Sequence, residues 1–246
     1  MFAAVSLAFA AAAMAFQEPK PAAEPADKEA PEQPRLYTSS QARTALREFT
    51  RAMRAKAPIA ARLAALDALG RGAHESLVKP LARVVASDKS TLVRRRASVL
   101  LGMQPGAAAA IARLLEDRSL SDEPTVQADL VAAIARAGYE PKHWATLEKL
   151  FEKDYAADRI LLQERILLLA AAKREKQAIS LLLRNLDEPL PENVDAPDNP
   201  PRDYWEARWK AWRSFRGKVK DALFAVTGQR FGSAREAKEW LEKNGK

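Results

Sequence analysis

From Ser40 onward, apolar residues recur at the three- and four-residue spacing of amphipathic helices. The segments around Leu77, Leu81, Val84 and Val85, around Ile111, Leu114 and Leu115, and around Trp144, Leu147, Leu150 and Phe151 each predict a helix with one apolar face. A second helix follows each of them, and these second helices resemble one another. Ala61-Arg62-Leu63-Ala64-Ala65 through Leu69-Gly70 aligns with Val93-Arg94-Arg95-Arg96-Ala97 through Leu101-Gly102. Weaker copies begin at Val126-Gln127 and Leu162-Gln163, so the unit repeats every 32 to 36 residues. That is the length of a helical hairpin repeat.

The punctuation fits this period. Pro58, Pro105, Pro124 and Pro141 fall where helices begin, and a missing N–H is harmless there. Gly70, Gly102 and Gly138 fall where helices end, and each is expected to close its last turn in a left-handed conformation. Asp88 and Ser90 are candidate N-caps for the Val93 helix. Pro80 lies inside the Leu77–Val85 pattern and is expected to kink that helix.

The run Asp88-x-x-x-x-Val93-Arg94-x-x-Ala97-x-x-x-Leu101-Gly102, with Pro80 in the preceding helix, resembles the HEAT repeat, in its short bacterial form. Arg62, Ala65 and Gly70 repeat part of this signature. Tetratricopeptide repeats share the period, but their Trp/Leu-Gly/Tyr signature is absent. The resemblance covers about residues 42–175. It implies an all-α fold, an α-solenoid of about four to five HEAT-like hairpins with a helical C-terminal cap. A lone two-helix hairpin leaves apolar faces exposed on both sides and is stable only when stacked on neighbours. Stacking would line a concave face with the second helices. The expected organisation is repeats over 38–186, a Pro-rich acidic loop over 187–203 and terminal helices over 204–246.

Residues 187–203 hold five prolines and six acids against one base, and read as a solvated insertion. Asp195, Asp198 and Asn199 carry oxygen ligands, but their spacing matches no calcium loop. Next, Trp205, Trp209 and Trp212 share one helical face, with Arg208, Lys210, Arg213 and Arg216 around them. The preferred reading is a cap that closes the open end of the array. The alternatives are a partner-binding groove and a nucleic-acid surface, in which bases stack on rings and arginines hold phosphates. Further on, Gly228 ends one helix, and Ser233 with Glu236 reads as a capping box for the next. The Thr227-Gly228-x-x-Phe231-Gly232…Trp240 ending is similar to that of exported bacterial HEAT-repeat proteins, and implies that Phe231 and Trp240 pack back on the cap.

Composition changes the picture at the other end. Residues 1–15 are apolar and uncharged, too short to span a bilayer, and end in Ala13-Met14-Ala15. They read as a signal peptide cut after Ala15, which predicts export to the periplasm or beyond, with no transmembrane segment in the mature chain. Residues 16–37 form a Pro/Glu/Ala-rich linker that cannot bury a core. The whole chain carries +8 while residues 16–35 carry −2, so residues 36–246 carry +10.

Chemistry leaves little trace. The absence of cysteine removes disulfides, thiolate metal sites and thiol nucleophiles. His74 and His143, the two histidines, read as caps or surface residues, and Ser76 and Ser98 have no histidine in register. Arg94, Arg95 and Arg96 point three ways around a helix, and Arg94 reads as the repeat's own structural arginine. No catalytic residue, metal or cofactor is expected. The chain is therefore expected to be a scaffold that binds another protein or an extended polymer. The alternative is a nucleic-acid binder similar to HEAT-like DNA glycosylases, acting through Trp209, Trp212 and Arg213 if residues 1–15 are not a leader.

Overall fold

The computed structural model describes residues 34–54, 57–191 and 193–244. The expected leader, 1–15, and the expected linker up to residue 33 lie outside the described residues. Eleven α-helices are described, with short 3-10 turns between many of them. They are α1 (Ser39–Ala52), α2 (Ile59–Leu69), α3 (Val78–Ser87), α4 (Thr91–Leu101), α5 (Ala108–Leu115), α6 (Pro124–Ala137), α7 (Trp144–Glu152), α8 (Ile160–Lys173), α9 (Ile179–Arg184), α10 (Arg202–Thr227) and α11 (Ala234–Asn244). No described helix is long and apolar enough to cross a membrane.

The fold is all-α apart from one short parallel bridge, in which β1 (Arg35–Leu36) pairs with β2 (Gly72–Ala73). The last residues of the expected linker are thus built into the fold. A Cβ on Gly72 would collide with the Tyr37 ring, so glycine makes the room that lets the incoming chain lie there. Thr38 then caps α1. Its Oγ accepts the Gln41 N–H at 3.3 Å while its own N–H donates to Gln41 Oε1 at 2.9 Å.

Helices α2, α4, α6, α8 and α10 contact one another in succession. Helices α1, α3, α5, α7 and α9 each pack on the helix that follows, and α11 packs on α9. The core lies between these two rows. Leu66, Leu81, Val93, Ala97, Ile111, Val131, Leu147, Ile166 and Phe215 are all within 1 % of complete burial, and Ala65 is buried beside them.

Polar side chains tie each hairpin to the next. Arg62 pairs with Asp88, Arg94 with Glu123 at 2.9 Å, Arg95 with Asp129 at 2.7 Å and Arg96 with Asp67 at 2.6 Å. The three consecutive arginines therefore serve three different carboxylates. Tyr139 donates to Glu175 at 2.7 Å, and Arg184 reaches both Glu148 and Glu152 at 2.7 Å. Burial and the Glu175 carboxylate push the Tyr139 hydroxyl far above the ordinary tyrosine range.

Of the aligned residues Arg62, Arg94, Gln127 and Gln163, the second and the fourth do the same job. Arg94 Nε donates to Val85 O at 2.8 Å, and Gln163 Nε2 donates to Phe151 O at 3.0 Å. Each closes the C-terminal end of the helix before it, where carbonyls lack partners. Arg159 does the same for Leu150 O at 2.7 Å. Gln127 is fully buried with both side-chain polar atoms unpartnered.

Several sequence expectations change here. Gly70 and Gly102 are not left-handed, with φ of −71° and −64°. They are small because helices approach closely: a Cβ on Gly102 would lie 2.7 Å from Ala133 Cα, and one on Gly70 would strike the Leu100 side chain. Only the third glycine of the set, Gly138, takes a positive φ, 128°. Pro80 does not kink a formed helix. It sits in the first turn of α3, just after the 3-10 turn Glu75–Leu77, where the helix is still being established. Ser90 occupies the N-cap position of α4 without a side-chain bond, and Asp88 Oδ1 accepts the Ser90 N–H at 2.8 Å instead. The other Asp88 oxygen is held by Arg62.

Candidate functional site

Helix α10 carries the aromatic and basic residues singled out by sequence. It packs on α8 and α9 through Ala211, Trp212, Phe215, Val219, Ala222 and Leu223, all buried, and Gly228 ends it in a left-handed conformation at φ 75°. It begins at Arg202, two residues inside the expected loop, with Pro201 at its N-cap position. The three tryptophans lie along one side but differ in depth. Trp212 is 8 % exposed and donates its indole N–H to Asn185 O at 3.0 Å. Trp209 is half-buried and donates to Glu188. Trp205 is half-buried with its indole nitrogen sealed from solvent and unpartnered.

The arginines cover these rings. Arg213 lies 4.7 Å from the Trp209 centroid and Arg216 lies 5.4 Å from that of Trp212. Arg208 stands over both Trp205, at 5.5 Å, and Tyr155, at 5.4 Å. A guanidinium on an aromatic face is attracted by the ring quadrupole. Burial pushes the Tyr155 hydroxyl above the ordinary tyrosine range, and the Arg208 charge pulls it partly back. All six residues are therefore brought together, as an interleaved ladder of rings and guanidiniums.

What fastens the ladder was not visible as a motif. Asn185 and Glu188 take the two indole N–H groups, and Asp187 accepts the Ala234 N–H at 3.0 Å, at the start of α11. The first residues of the acidic segment are thus structural clamps, 21 to 47 positions from their partners. The candidate ligands later in the segment are engaged locally: Asp195 pairs with Arg202 at 2.7 Å, and Asn199 donates to Asn193 O at 2.7 Å. Ser233 Oγ accepts the Glu236 N–H at 3.2 Å, but Glu236 reaches Gly232 N–H rather than completing a box. Phe231 and Trp240 meet at a tilt of 59° with centroids 5.7 Å apart.

His74 is a cap, as its sequence position suggests, whereas Ser76 departs from the expectation. The His74 Nδ1 lies 2.9 Å from Ser76 Oγ and accepts the Ser76 N–H at 3.1 Å, while Nε2 lies 3.5 Å from Ser39 Oγ. Ser76 therefore does have a histidine beside it, two residues away. The imidazole caps the 3-10 turn Glu75–Leu77, and no carboxylate bonds to the ring among the described residues. His143 Nδ1 likewise accepts the Glu140 N–H at 3.1 Å. No group of three or more His, Cys, Asp or Glu side chains converges among the described residues.

A second surface runs along the row α2, α4, α6, α8, α10, on the side away from the core. Leu92 of α4 is 60 % exposed, Leu161 and Leu168 of α8 are 37 % and 46 %, and Phe224 of α10 is 40 %. Leu92 and Leu161 occupy the same repeat position, as do Arg96 and Arg165. Comparison with protein-family models, curated proteins and solved structures finds no match.

Proposed function

We propose that the chain is a non-catalytic binding scaffold, a short HEAT-like α-solenoid of five hairpins, α1–α2 to α9–α10, closed by α11. Its open face along the second helices takes another protein or an extended polymer. The observation that supports this most is the ladder of side-chain bonds between positions 26 to 36 residues apart, one hairpin length, running from Arg62–Asp88 to Arg184–Glu148. A repeated hairpin that bonds mainly to its neighbours builds a one-dimensional stack. Such a stack offers an extended face, and here that face repeats Leu92 as Leu161 and leaves Arg165 without an acidic partner among the described residues. The nucleic-acid alternative through 204–220 has less to draw on. The indole donors of Trp209 and Trp212 are engaged, and Arg208, Arg213 and Arg216 are spent on rings.

Export belongs to the same proposal and is read from the N-terminus of the protein recovered from cells, expected at Phe16. The binding role is tested by chemical cross-linking in the source cells followed by pull-down. A partner held by the wild type should be lost from Leu168→Asp, a substitution at an exposed position that leaves the fold intact. Retention of the same partner by that variant, or turnover of a small substrate by a protein that holds no partner, overturns the reading.

A further inference from the structure

The N-terminal end presents a second groove, on the outer row of helices. Helix α1 packs on α2 and on the turn Glu75–Leu77, so its C-terminal half stands off α3 and leaves a cleft of about 520 Å³ between them. Its apolar lining comes from Phe49, Met53, Pro80 and Val84. Lys79 and Arg83, one turn apart on α3, form one rim. Beside the other rim, the solvent face of α1 carries Arg43, Arg47 and Arg51 at i, i+4 and i+8, and Arg54 follows just past the helix end, all exposed.

Cations outnumber acids here. Residues 34–90 hold eleven Lys and Arg against four Asp and Glu, a net +7 in less than a quarter of the chain. Two of those four acids are already engaged, Asp88 by Arg62 and Asp67 by Arg96. Among the described residues, none of Arg47, Arg51, Arg54, Lys79 and Arg83 lies within ion-pair distance of a carboxylate or over a ring; the only side-chain bond in the set is Arg47 to Thr44. The one carboxylate in the cleft lining, Asp88, is taken up by Arg62 and the Ser90 N–H, so a cleft with an apolar floor and cationic margins remains complementary to a segment that carries apolar side chains down its middle and carboxylates on its flanks.

We propose that the α1–α3 cleft binds an acidic amphipathic peptide segment of a partner protein, with apolar residues against Met53, Pro80 and the accessible edges of Phe49 and Val84 and carboxylates toward Lys79 and Arg83. A nucleic acid fits less well. The floor presents no open aromatic face for a base, since Phe49 is 6 % exposed. A flat bilayer does not enter a recessed cleft. This surface is separate from the open face of the second helices, so the two readings stand or fall independently.

The test is fluorescence anisotropy with the full chain and a labelled synthetic helix of roughly 14 residues, about four turns. The helix contains Glu and Ala with Leu at i, i+3, i+4 and i+7. The wild type should bind it, and Lys79→Glu with Arg83→Glu should weaken binding by at least about tenfold, because attraction becomes repulsion at the rim. Arg118→Glu with Lys149→Glu, exposed charges on other hairpins, should leave it unchanged, as should Leu168→Asp on the open face. Matching melting curves establish that each variant is folded. The proposal is overturned by any of four results: no binding of the Glu/Leu helix, equal binding of the same helix with Ser in place of Leu, retention by the Lys79/Arg83 variant, or loss on Leu168→Asp. Binding of a short DNA duplex that the Lys79/Arg83 variant abolishes, without binding of the helix, reassigns the cleft to nucleic acid and overturns it equally.

Discussion

At the C-terminal end, Arg208, Arg213 and Arg216 each cover a tryptophan of the same helix. At the N-terminal end, Arg47, Arg51 and Arg54 follow one another at three- and four-residue intervals, and among the described residues none of them makes an ion pair or lies over a ring. The difference lies in what precedes each arginine by three or four residues. In α10 it is a tryptophan, and the guanidinium folds back over it; in and just after α1 it is Arg43, Thr44, Arg47, Glu48, Thr50 or Arg51, none of them aromatic, and the guanidiniums stay exposed. Interleaving of aromatic and basic residues therefore builds a self-satisfied surface. The plainer basic stripe remains available to a partner.

The largest effect expected from this contrast is on stability. Trp212→Ala removes a ring buried at 8 % exposure together with its bond to Asn185 O, and should cost about 3–5 kcal/mol in urea unfolding. Arg47→Glu with Arg51→Glu touches no buried group and should change stability by less than about 0.5 kcal/mol. Comparable losses from the two changes would mean that the N-terminal stripe is structural after all.

A second comparison lies inside the N-terminal end. Arg62 is its one described cation held in an ion pair, with Asp88, and their side chains are 15 % and 7 % exposed. Arg62→Met strands a carboxylate that is also needed for the Ser90 N–H. The cost should be about 2 kcal/mol, between that of an exposed pair and a fully buried one. Arg83→Met, five residues before Asp88 on the rim of the cleft, should be neutral in the same unfolding measurement. If Arg83→Met proves equally costly, the rim is not free.

The helices and their repeat period could be read from the chain because hydrophobic spacing alone decides where a helix buries its face, and because the repeat brings that spacing back every 32 to 36 residues. The convergence of the six aromatic and basic residues of α10 was legible for the same reason. What the chain hid were effects of neighbours distant in sequence. Gly102 looks like a helix terminator, and only the position of Ala133 explains it. Asp187 and Glu188 look like solvated acids until α11 and Trp209 are placed beside them. The N-terminal cleft escaped because α1 and α3 are each ordinary amphipathic helices, and only their separation opens a cleft lined by Met53 and Pro80 beside Lys79 and Arg83. One signal was present: the excess charge of residues 34–90 is larger per residue than that of the chain as a whole.

The smallest expected effect concerns Arg208, the one guanidinium that stands over two rings, Trp205 and Tyr155. Burial raises the Tyr155 hydroxyl above the ordinary tyrosine value, and Arg208 is the strongest of the charges pulling it down. A raised value means that the folded state favours the neutral phenol. The associated stability is complete below the unfolded tyrosine value of about 10 and is lost as pH rises through the folded one. Arg208→Gln removes the guanidinium, which stays charged throughout this range. Tyr155 should then ionise later, visible as a delayed step in the tyrosinate absorbance that Tyr155→Phe deletes. The same substitution should cost about 0.5–1 kcal/mol at neutral pH through the lost ring contacts with Trp205 and Tyr155. An earlier step would mean that Arg208 does not sit over Tyr155 in solution. It would then belong with the free cations of α1, and the ladder would shorten to the pairs at Trp209 and Trp212.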